Sequence, residues 1–241
     1  MEQTNVFKRK IYQEMLKWKE ERQGETALLI EGARRIGKST IVEEFAKNEY
    51  SSYILVDFSK TATEINNLFN DLSDLNYIFL RLQLNYNVSL KERKSLIIFD
   101  EVQNNPKARQ AIKHLVKDHR YDYIETGSLI SIRKNVQNII IPSEETRITM
   151  HPMDFEEFRW AMGDNVTLTL LKTVLEQKQP LGEATHRKLM RDFRLYMLVG
   201  GMPQAVDKYI KTNDLSAVDT VKRDIIALYE EDLRKIDTSG K

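Results

Sequence analysis

Gly32-Ala33-Arg34-Arg35-Ile36-Gly37-Lys38-Ser39 lies between two apolar stretches of different periodicity. The stretch before it, Ala27-Leu28-Leu29-Ile30, is short and continuous and predicts a buried strand. The stretch after it, Ile41-Val42-Glu43-Glu44-Phe45-Ala46, has the apolar spacing of a helix face. A strand, a turn containing glycine and then a helix is the context in which G-x-x-x-x-G-K-[ST] forms a phosphate-binding loop, or P-loop. The pattern therefore predicts that this part of the chain binds phosphate.

The loop would supply the groups that hold a phosphate chain and its metal ion. Its backbone N–H groups and the N-terminus of the following helix attract the phosphates. Lys38 is expected to reach the outer phosphates, and the Ser39 hydroxyl is expected to ligate Mg²⁺. The predicted nucleotide-binding residues are Gly32, Arg34, Arg35, Ile36, Gly37, Lys38, Ser39 and Thr40.

The composition excludes several kinds of site. The chain has no cysteine, which removes disulfides, thiolate zinc sites and a cysteine nucleophile. Its 37 basic and 36 acidic residues leave a net charge of +1, so the global charge favours neither nucleic acid nor an anionic membrane. The N-terminus lacks the features of a signal peptide, and no apolar run approaches the roughly 20 residues that span a bilayer. We therefore expect a soluble, cytoplasmic protein without a membrane partner.

Predicted strands and helices alternate through residue 150. The strands are predicted at 27–30, 53–58, 96–99, 121–126 and 146–150, and the helices at 6–22, 62–69, 72–84 and 106–118. This alternation predicts an α/β fold with a five-stranded parallel sheet flanked by helices. From Asp154 onward only helices are predicted, so we expect one domain over residues 1–152 and a helical one over residues 153–241.

Asp100 and Glu101 end the clearest predicted strand, Leu96-Ile97-Ile98-Phe99. With the P-loop present, Asp100 is expected to hold Mg²⁺, usually through water, and Glu101 to activate the attacking water as a general base. In the alternative interpretation, the two acids have a structural role and only cap the next segment. The guanine-selecting Asn-Lys-x-Asp pattern is absent, so hydrolysis of ATP fits the pair best.

Two more residues follow or begin predicted strands. Ser128 ends the strand expected between those of the P-loop and the acids, where its hydroxyl could sense the γ-phosphate or the lytic water; a turn made by Thr126-Gly127-Ser128 is the alternative. Arg147 stands at the start of the fifth strand. It is either a finger that stabilises charge at a neighbouring subunit's γ-phosphate or one member of a surface ion pair.

Residues 106–120 carry five basic side chains away from the apolar face of their helix: Lys107, Arg109, Lys113, Lys117 and Arg120. Such a face could follow a nucleic-acid backbone. No recognition motif accompanies it, so a solvated face is the favoured interpretation and a nucleic-acid partner has no further support.

Five blocks of the sequence, in this order, resemble a prokaryotic AAA-type (AAA+ superfamily) ATPase family. The blocks are Gly32–Ser39, Phe99–Gln103, Thr126–Leu129, His151–Phe158 and Gly200–Val206. The resemblance implies a P-loop NTPase sheet in the order 5-1-4-3-2 followed by a helical lid, with Pro203 packing on the adenine. It implies that Arg34 belongs to the family's loop, that Gln103 is a polar neighbour of the acids and that Arg147 is a finger in an assembly. Ala33, Arg35 and Thr146 depart from the family's usual residues.

Members of that family usually continue into a restriction-endonuclease-like domain of unknown function, so we expect this chain to be truncated or naturally short. The sequence predicts an enzyme that uses ATP and Mg²⁺, with Glu101, Lys38, Ser128 and Arg147 as catalytic residues. The alternative is a nucleotide-gated switch with little or no turnover, which would change partners, DNA among them, when nucleotide binds.

Overall fold

The computed structural model describes residues 5–128 and 143–236, which divide into two compact units. One unit is Ile11–Met150, and the other joins the residues up to Lys10 to those from His151 onward. Nothing in the sequence indicates that the residues before Ile11 group with the second unit. No helix in the described ranges combines the length and the apolar character needed to cross a membrane.

The first unit is built on a parallel sheet of five strands. They are β1 (Ala27–Gly32), β2 (Ser52–Asp57), β3 (Ser95–Asp100), β4 (Asp122–Ser128) and β5 (Glu145–Met150). Their order is β2-β3-β4-β1-β5 with every neighbouring pair parallel, which confirms the predicted 5-1-4-3-2 sheet. Because β4 lies between β1 and β3, its end separates the strand that precedes the P-loop from the strand that ends in the acids.

Helices cover both faces of this sheet, as the alternating pattern predicts. They are α1 (Ile11–Arg22), α2 (Lys38–Glu49), α3 (Thr63–Asn67), α4 (Leu75–Tyr86) and α5 (Pro106–Asp118), with short 3₁₀ turns at Leu68–Asn70 and Val102–Asn104. The buried face of α5 packs with Leu29 and Phe99 in one core that also contains residues of α3 and α4. Because side chains alternate along a strand, Leu28 and Ile30 point to the opposite face, where α1 and α2 pack.

Among the described residues of the second unit, the regular secondary structure consists of helices. Its helices are α6 (Phe155–Ala161), α7 (Thr167–Glu176), α8 (Glu183–Val199), α9 (Pro203–Thr212) and α10 (Leu215–Ile236). Met153, Phe158, Val199, Val206 and Val218 form its core. The C-terminal helices predicted from the sequence are therefore present.

The block His151–Phe158 anchors the N-terminal segment to this second unit. Asp154 caps α6 by accepting a hydrogen bond from the Glu157 backbone N–H at 2.9 Å, in a capping box. The Glu157 carboxylate also accepts the Lys10 backbone N–H at 2.7 Å and lies 3.2 Å from Arg9 Nε. Arg9 Nη2 donates to the His151 carbonyl at 2.6 Å. The sequence predicts that the first helix begins at residue 6. These contacts instead hold the residues up to Lys10 in the second unit, and α1 begins only at Ile11.

Gly201, the second of the two glycines before Pro203, is explained by a close backbone approach. The Met153 N–H donates to the Gly201 carbonyl at 2.7 Å, and a Cβ at Gly201 would lie 2.1 Å from the Met153 carbonyl oxygen. Pro203 then occupies the first turn of α9, where its missing N–H costs no helical hydrogen bond.

A cluster of four charged side chains lies between α5 and the sheet. Arg109 Nε is 3.9 Å from Glu125 Oε2, Arg109 Nη2 is 3.2 Å from Glu145 Oε2, and Arg147 Nε is 2.6 Å from Glu145 Oε1. Glu125 is fully buried, and neither of its carboxylate oxygens has a hydrogen-bond partner within residues 5–128 and 143–236. Burial therefore raises the pKa of Glu125 well above the usual carboxyl range; Glu145 raises it further, and Arg109 and Arg147 oppose the rise.

The buried Arg109 corrects the basic face predicted for residues 106–120. Arg109 is directed at the sheet and is only 2% exposed. Arg120 follows the end of α5 and pairs with Asp118 at 2.6 Å. Only Lys107, Lys113 and Lys117 remain as exposed cations on this helix.

We expect Glu125→Gln to remove a pH dependence from the stability of the fold. Between the ordinary carboxyl pKa and the raised pKa of Glu125, the folded protein keeps a proton that the unfolded chain loses, so wild-type stability falls as the pH rises through this window. The unfolding free energy of the variant, measured relative to that of wild type, should therefore rise by at least about 1 kcal/mol from about pH 5 to about pH 8. This is the equivalent of about one pKa unit.

Denaturant unfolding at the two pH values measures this difference. The control is Glu20→Gln, which changes an exposed carboxylate on α1 and should follow the wild-type pH dependence. If the unfolding free energy of Glu125→Gln followed the wild-type pH dependence, Glu125 would be ionised in the folded protein, against the expectation.

Candidate functional site

The P-loop residues connect β1 directly to α2, and the two glycines have different tasks there. Gly37 lies just before α2 with φ 92°, in the left-handed region that glycine adopts without strain. Gly32 is needed for space instead, because a Cβ there would lie 2.3 Å from the Met150 carbonyl oxygen at the end of β5. The loop is thus fitted closely against the neighbouring strand.

Lys38 is buried beneath this loop at the start of α2. Its Nζ donates to the Gly32 carbonyl at 3.1 Å and to the Ala33 carbonyl at 2.8 Å. Burial lowers the pKa of Lys38, while the negative charges of Glu101 and Asp100 oppose the decrease and Arg34 adds slightly to it. A buried ammonium whose pKa is lowered by burial is well suited to an anionic ligand, because an anion would stabilise its charge.

Asp100 joins three elements at the carboxyl end of the sheet. Its Oδ1 accepts a hydrogen bond from Ser39 Oγ at 2.8 Å and another from Thr126 Oγ1. Ser39 belongs to α2, Asp100 ends β3, and Thr126 lies in β4, so the sheet order brings the predicted metal ligands together. Thr126 is fully buried.

Glu101 follows Asp100 in the left-handed conformation, with φ 54° and ψ 44°. Its backbone N–H donates to Thr126 Oγ1 at 3.4 Å, and its carboxylate accepts a hydrogen bond from Gln103 Nε2. Its charge opposes the decrease that burial causes in the pKa of Lys38, so the carboxylate lies within electrostatic reach of the P-loop lysine. The structure thus assembles Lys38, Ser39, Asp100 and Glu101 at one place.

These groups fit a nucleotide and its magnesium ion. The Ser39 hydroxyl and the Asp100 carboxylate are hard oxygen ligands, which Mg²⁺ prefers. Among the described residues, the N-terminus of α2 has no side-chain cap and no acid in its first turn, so its N–H groups and positive dipole end suit a phosphate. The arrangement can therefore hold phosphates and a divalent cation side by side.

The remaining predicted loop residues differ in what they offer. Arg34, Arg35 and Thr40 have exposed side chains. Ile36 is fully buried, so its side chain anchors the loop and only its backbone is offered to a ligand. Arg35 has φ 63°, which turns the loop at a second point.

Ser128 and Arg147 lie at different levels of the sheet. Ser128 pairs with Gly32 at the end of β4, directly beside the start of the P-loop. Arg147 pairs with Leu29, three residues before the end of β1, or about 10 Å below that edge of the sheet. Its guanidinium is paired with Glu145, as in the ion-pair alternative of the sequence prediction. Pro203 belongs to the second unit.

Thr126 is the contact that sequence reasoning did not assign. The sequence places it at a strand end beside Ser128, but its hydrogen bond to Asp100 depends on the lateral register of β3 and β4. Alternation along β4 is the signal that could have indicated it, since Thr126 and Ser128 point to the same face.

Comparisons with known proteins were made for the sequence and for the structure. Against sequence families, a profile described as "AAA domain" matches residues 24–159, and a profile described as "Domain of unknown function (DUF8612)" matches residues 190–241. A search of curated protein sequences gave no match to this chain.

Three solved structures are similar to this chain at low identity. They are C. elegans PCH-2 (TM-score 0.42, 11% identity, 87% of this chain and 64% of that one), Aeropyrum pernix ORC1 in complex with DNA (0.47, 12%, 92% and 66%) and the Thermotoga maritima RuvB Holliday junction branch migration motor (0.44, 10%, 89% and 68%). This chain thus spans about two thirds of the length of each.

The AAA profile spans more than half of the chain and includes all of β1 to β5, the P-loop and the acid pair. The chain therefore belongs to the AAA domain family and carries an AAA-type, nucleotide-binding P-loop domain.

Proposed function

We propose that this protein binds ATP with Mg²⁺ and hydrolyses it to ADP and phosphate. The observation that carries the proposal is Asp100, whose carboxylate meets the Ser39 hydroxyl at 2.8 Å while Glu101 follows it in the chain. A site that only bound phosphate would need the loop but not a second carboxylate within reach of Lys38. The loop and the acid pair together support phosphoryl transfer to water.

In this mechanism the residues of the chain position the reactants and move one proton. The amides at the start of α2 and the ammonium of Lys38 bind the β- and γ-phosphates. Glu101 takes a proton from water as the water oxygen forms a bond to the γ-phosphorus, the bond from that phosphorus to the bridging oxygen of ADP breaks, and the proton then leaves to solvent. Mg²⁺, held by Ser39 and Asp100, would neutralise charge on the phosphate oxygens.

Other predicted residues receive supporting roles in the proposal. Arg34, Arg35 and Thr40 are exposed around the phosphate end of the site and would add positive charge and hydrogen bonds. Ser128, beside Gly32, would contact the γ-phosphate or the water. Pro203 would pack on the adenine if the helical residues from 153 onward act as a lid, and residues 1–152 would then form the ATPase core.

Arg147 would act in an assembly of several copies, as a finger toward the γ-phosphate held by a neighbour. Its guanidinium is 43% exposed although it pairs with Glu145, so one side remains accessible. The proposal requires Arg147 to leave or extend this pair when two copies meet. DNA, which accompanies ORC1 in its structure, is a partner to be tested in the same assays.

We expect Lys38→Ala to weaken ATP binding by about 100-fold, or about 2.7 kcal/mol, because the loop loses its buried cation. Isothermal titration with Mg²⁺-ATP measures the loss. The matched control is Lys47→Ala, which removes an exposed lysine from the other end of α2 and should bind ATP like wild type. A Lys38→Ala variant with wild-type affinity would remove Lys38 from the site.

Replacing Glu101 with Gln should separate binding from turnover. The amide keeps the shape of the side chain but cannot accept the proton, so kcat should fall by at least about 100-fold while ATP affinity changes less than about threefold. Steady-state phosphate release measures kcat, and Glu92→Gln, an exposed acid before the opposite end of β3, is the control. Undiminished turnover in Glu101→Gln would exclude Glu101 as the base; tight ATP retention without release by wild type would favour the switch.

The finger role predicts that activity depends on assembly. Wild-type turnover per subunit should rise with protein concentration over a range of about 100-fold, and Arg147→Ala should lose at least about tenfold in kcat at the highest concentration. Arg22→Ala, which removes an exposed arginine from the end of α1, serves as the control. Equal activity of Arg147→Ala and wild type at every concentration would refute the finger.

A further inference from the structure

Gln103 contacts the proposed base directly, from outside both the P-loop and the acid pair. Its Nε2 donates a hydrogen bond to Glu101 Oε2, and the residue is only 9% exposed. The left-handed backbone at Glu101 is followed by the 3₁₀ turn Val102–Asn104, which brings the side chain of residue 103 back over residue 101. The contact therefore follows from the local course of the chain.

The turn that carries Gln103 is held on both sides. The Asn104 N–H donates to the Glu101 carbonyl at 3.0 Å, and the Asn105 N–H donates to the Val102 carbonyl at 3.0 Å. Asn105 then caps α5 by accepting the Ala108 N–H at 3.0 Å, and its side-chain amide donates to the Asn66 carbonyl at 3.1 Å. Gln103 is thus presented by a backbone with little freedom to move, as a group that orients another must be.

The chemistry of an amide suits this position. The N–H group can donate to an ionised carboxylate but cannot take a proton from it or give one to it at neutral pH. Oε2 is engaged by Gln103, so the inference assigns the other carboxylate oxygen, Oε1, to accept a proton from water.

We infer that Gln103 is a positioning residue for hydrolysis: its amide holds the Glu101 carboxylate in the orientation in which the carboxylate takes the proton of the attacking water. The inference rests on the proposed function, because it needs Glu101 to be the base. A glutamate released from this hydrogen bond samples several rotamers, and only a fraction of them present an oxygen to the water. Turnover should fall while nucleotide binding, made by other residues, stays intact.

The test uses Gln103→Met, which keeps the length and volume of the side chain and removes the donor. We expect kcat to fall about tenfold, with KM and the Kd for ATP within about twofold of wild type. Asn104→Ala is the matched control, since it truncates an exposed side chain in the same turn and should keep wild-type kcat. Gln103→Asn, which retains the amide but shortens its reach, should also lose kcat and gives a second variant if the first fails to fold.

A double-mutant cycle with Glu101→Gln separates positioning from a merely structural role. If Gln103 acts through Glu101, Gln103→Met should cause no further loss in the Glu101→Gln background, measured by single-turnover hydrolysis with protein in excess. Additive losses, or wild-type kcat in both Gln103 variants, would overturn the inference alone. Absence of turnover in wild-type protein would refute the proposed function and the inference together.

Discussion

The hydrogen bonds accepted by the Asp100 carboxylate hold the carboxyl edge of the sheet together. One carboxylate oxygen receives the Ser39 hydroxyl from α2 and the Thr126 hydroxyl from β4, so three elements that are distant in sequence meet at one atom. The arrangement requires that β4 lie between β1 and β3, and the order of the sheet provides this. A carboxylate that accepts two hydroxyl donors is oriented before any cation arrives, which lowers the cost of ordering the site on binding.

Close backbone approach explains glycines that a motif alone would assign to conformational freedom. Gly32 lies where the end of β5 leaves no room for a Cβ, and Gly201 lies where the Met153 backbone leaves none. Gly37, at φ 92° before α2, and Gly200, at φ 82° after α8, instead have the positive φ that favours glycine. In two of the sequence blocks, one at the P-loop and one at the start of α9, a glycine is thus required by close packing.

The sequence predicts the features that local patterns encode. The alternation of strands and helices, the P-loop and the acid pair follow from apolar runs, glycine spacing and strand ends, each of which needs only a few neighbouring residues. The strand order comes only from the resemblance to a known family. The helical pattern predicts Arg109 on a basic face, because that pattern alone does not show that Glu125 and Glu145 lie opposite Arg109. Glu145 lies beside Ala27 only because β5 pairs with β1 in this register. Contacts of this kind depend on lateral register and side-chain volume, which a single sequence does not contain.

The grouping of the residues before Ile11 with those after Met150 makes the sheet unit an insertion within the helical unit. The hydrogen bond from Arg9 to the His151 carbonyl holds the two ends of that insertion next to each other. Neighbouring ends are the condition under which a domain can be excised, replaced or permuted with a short connection.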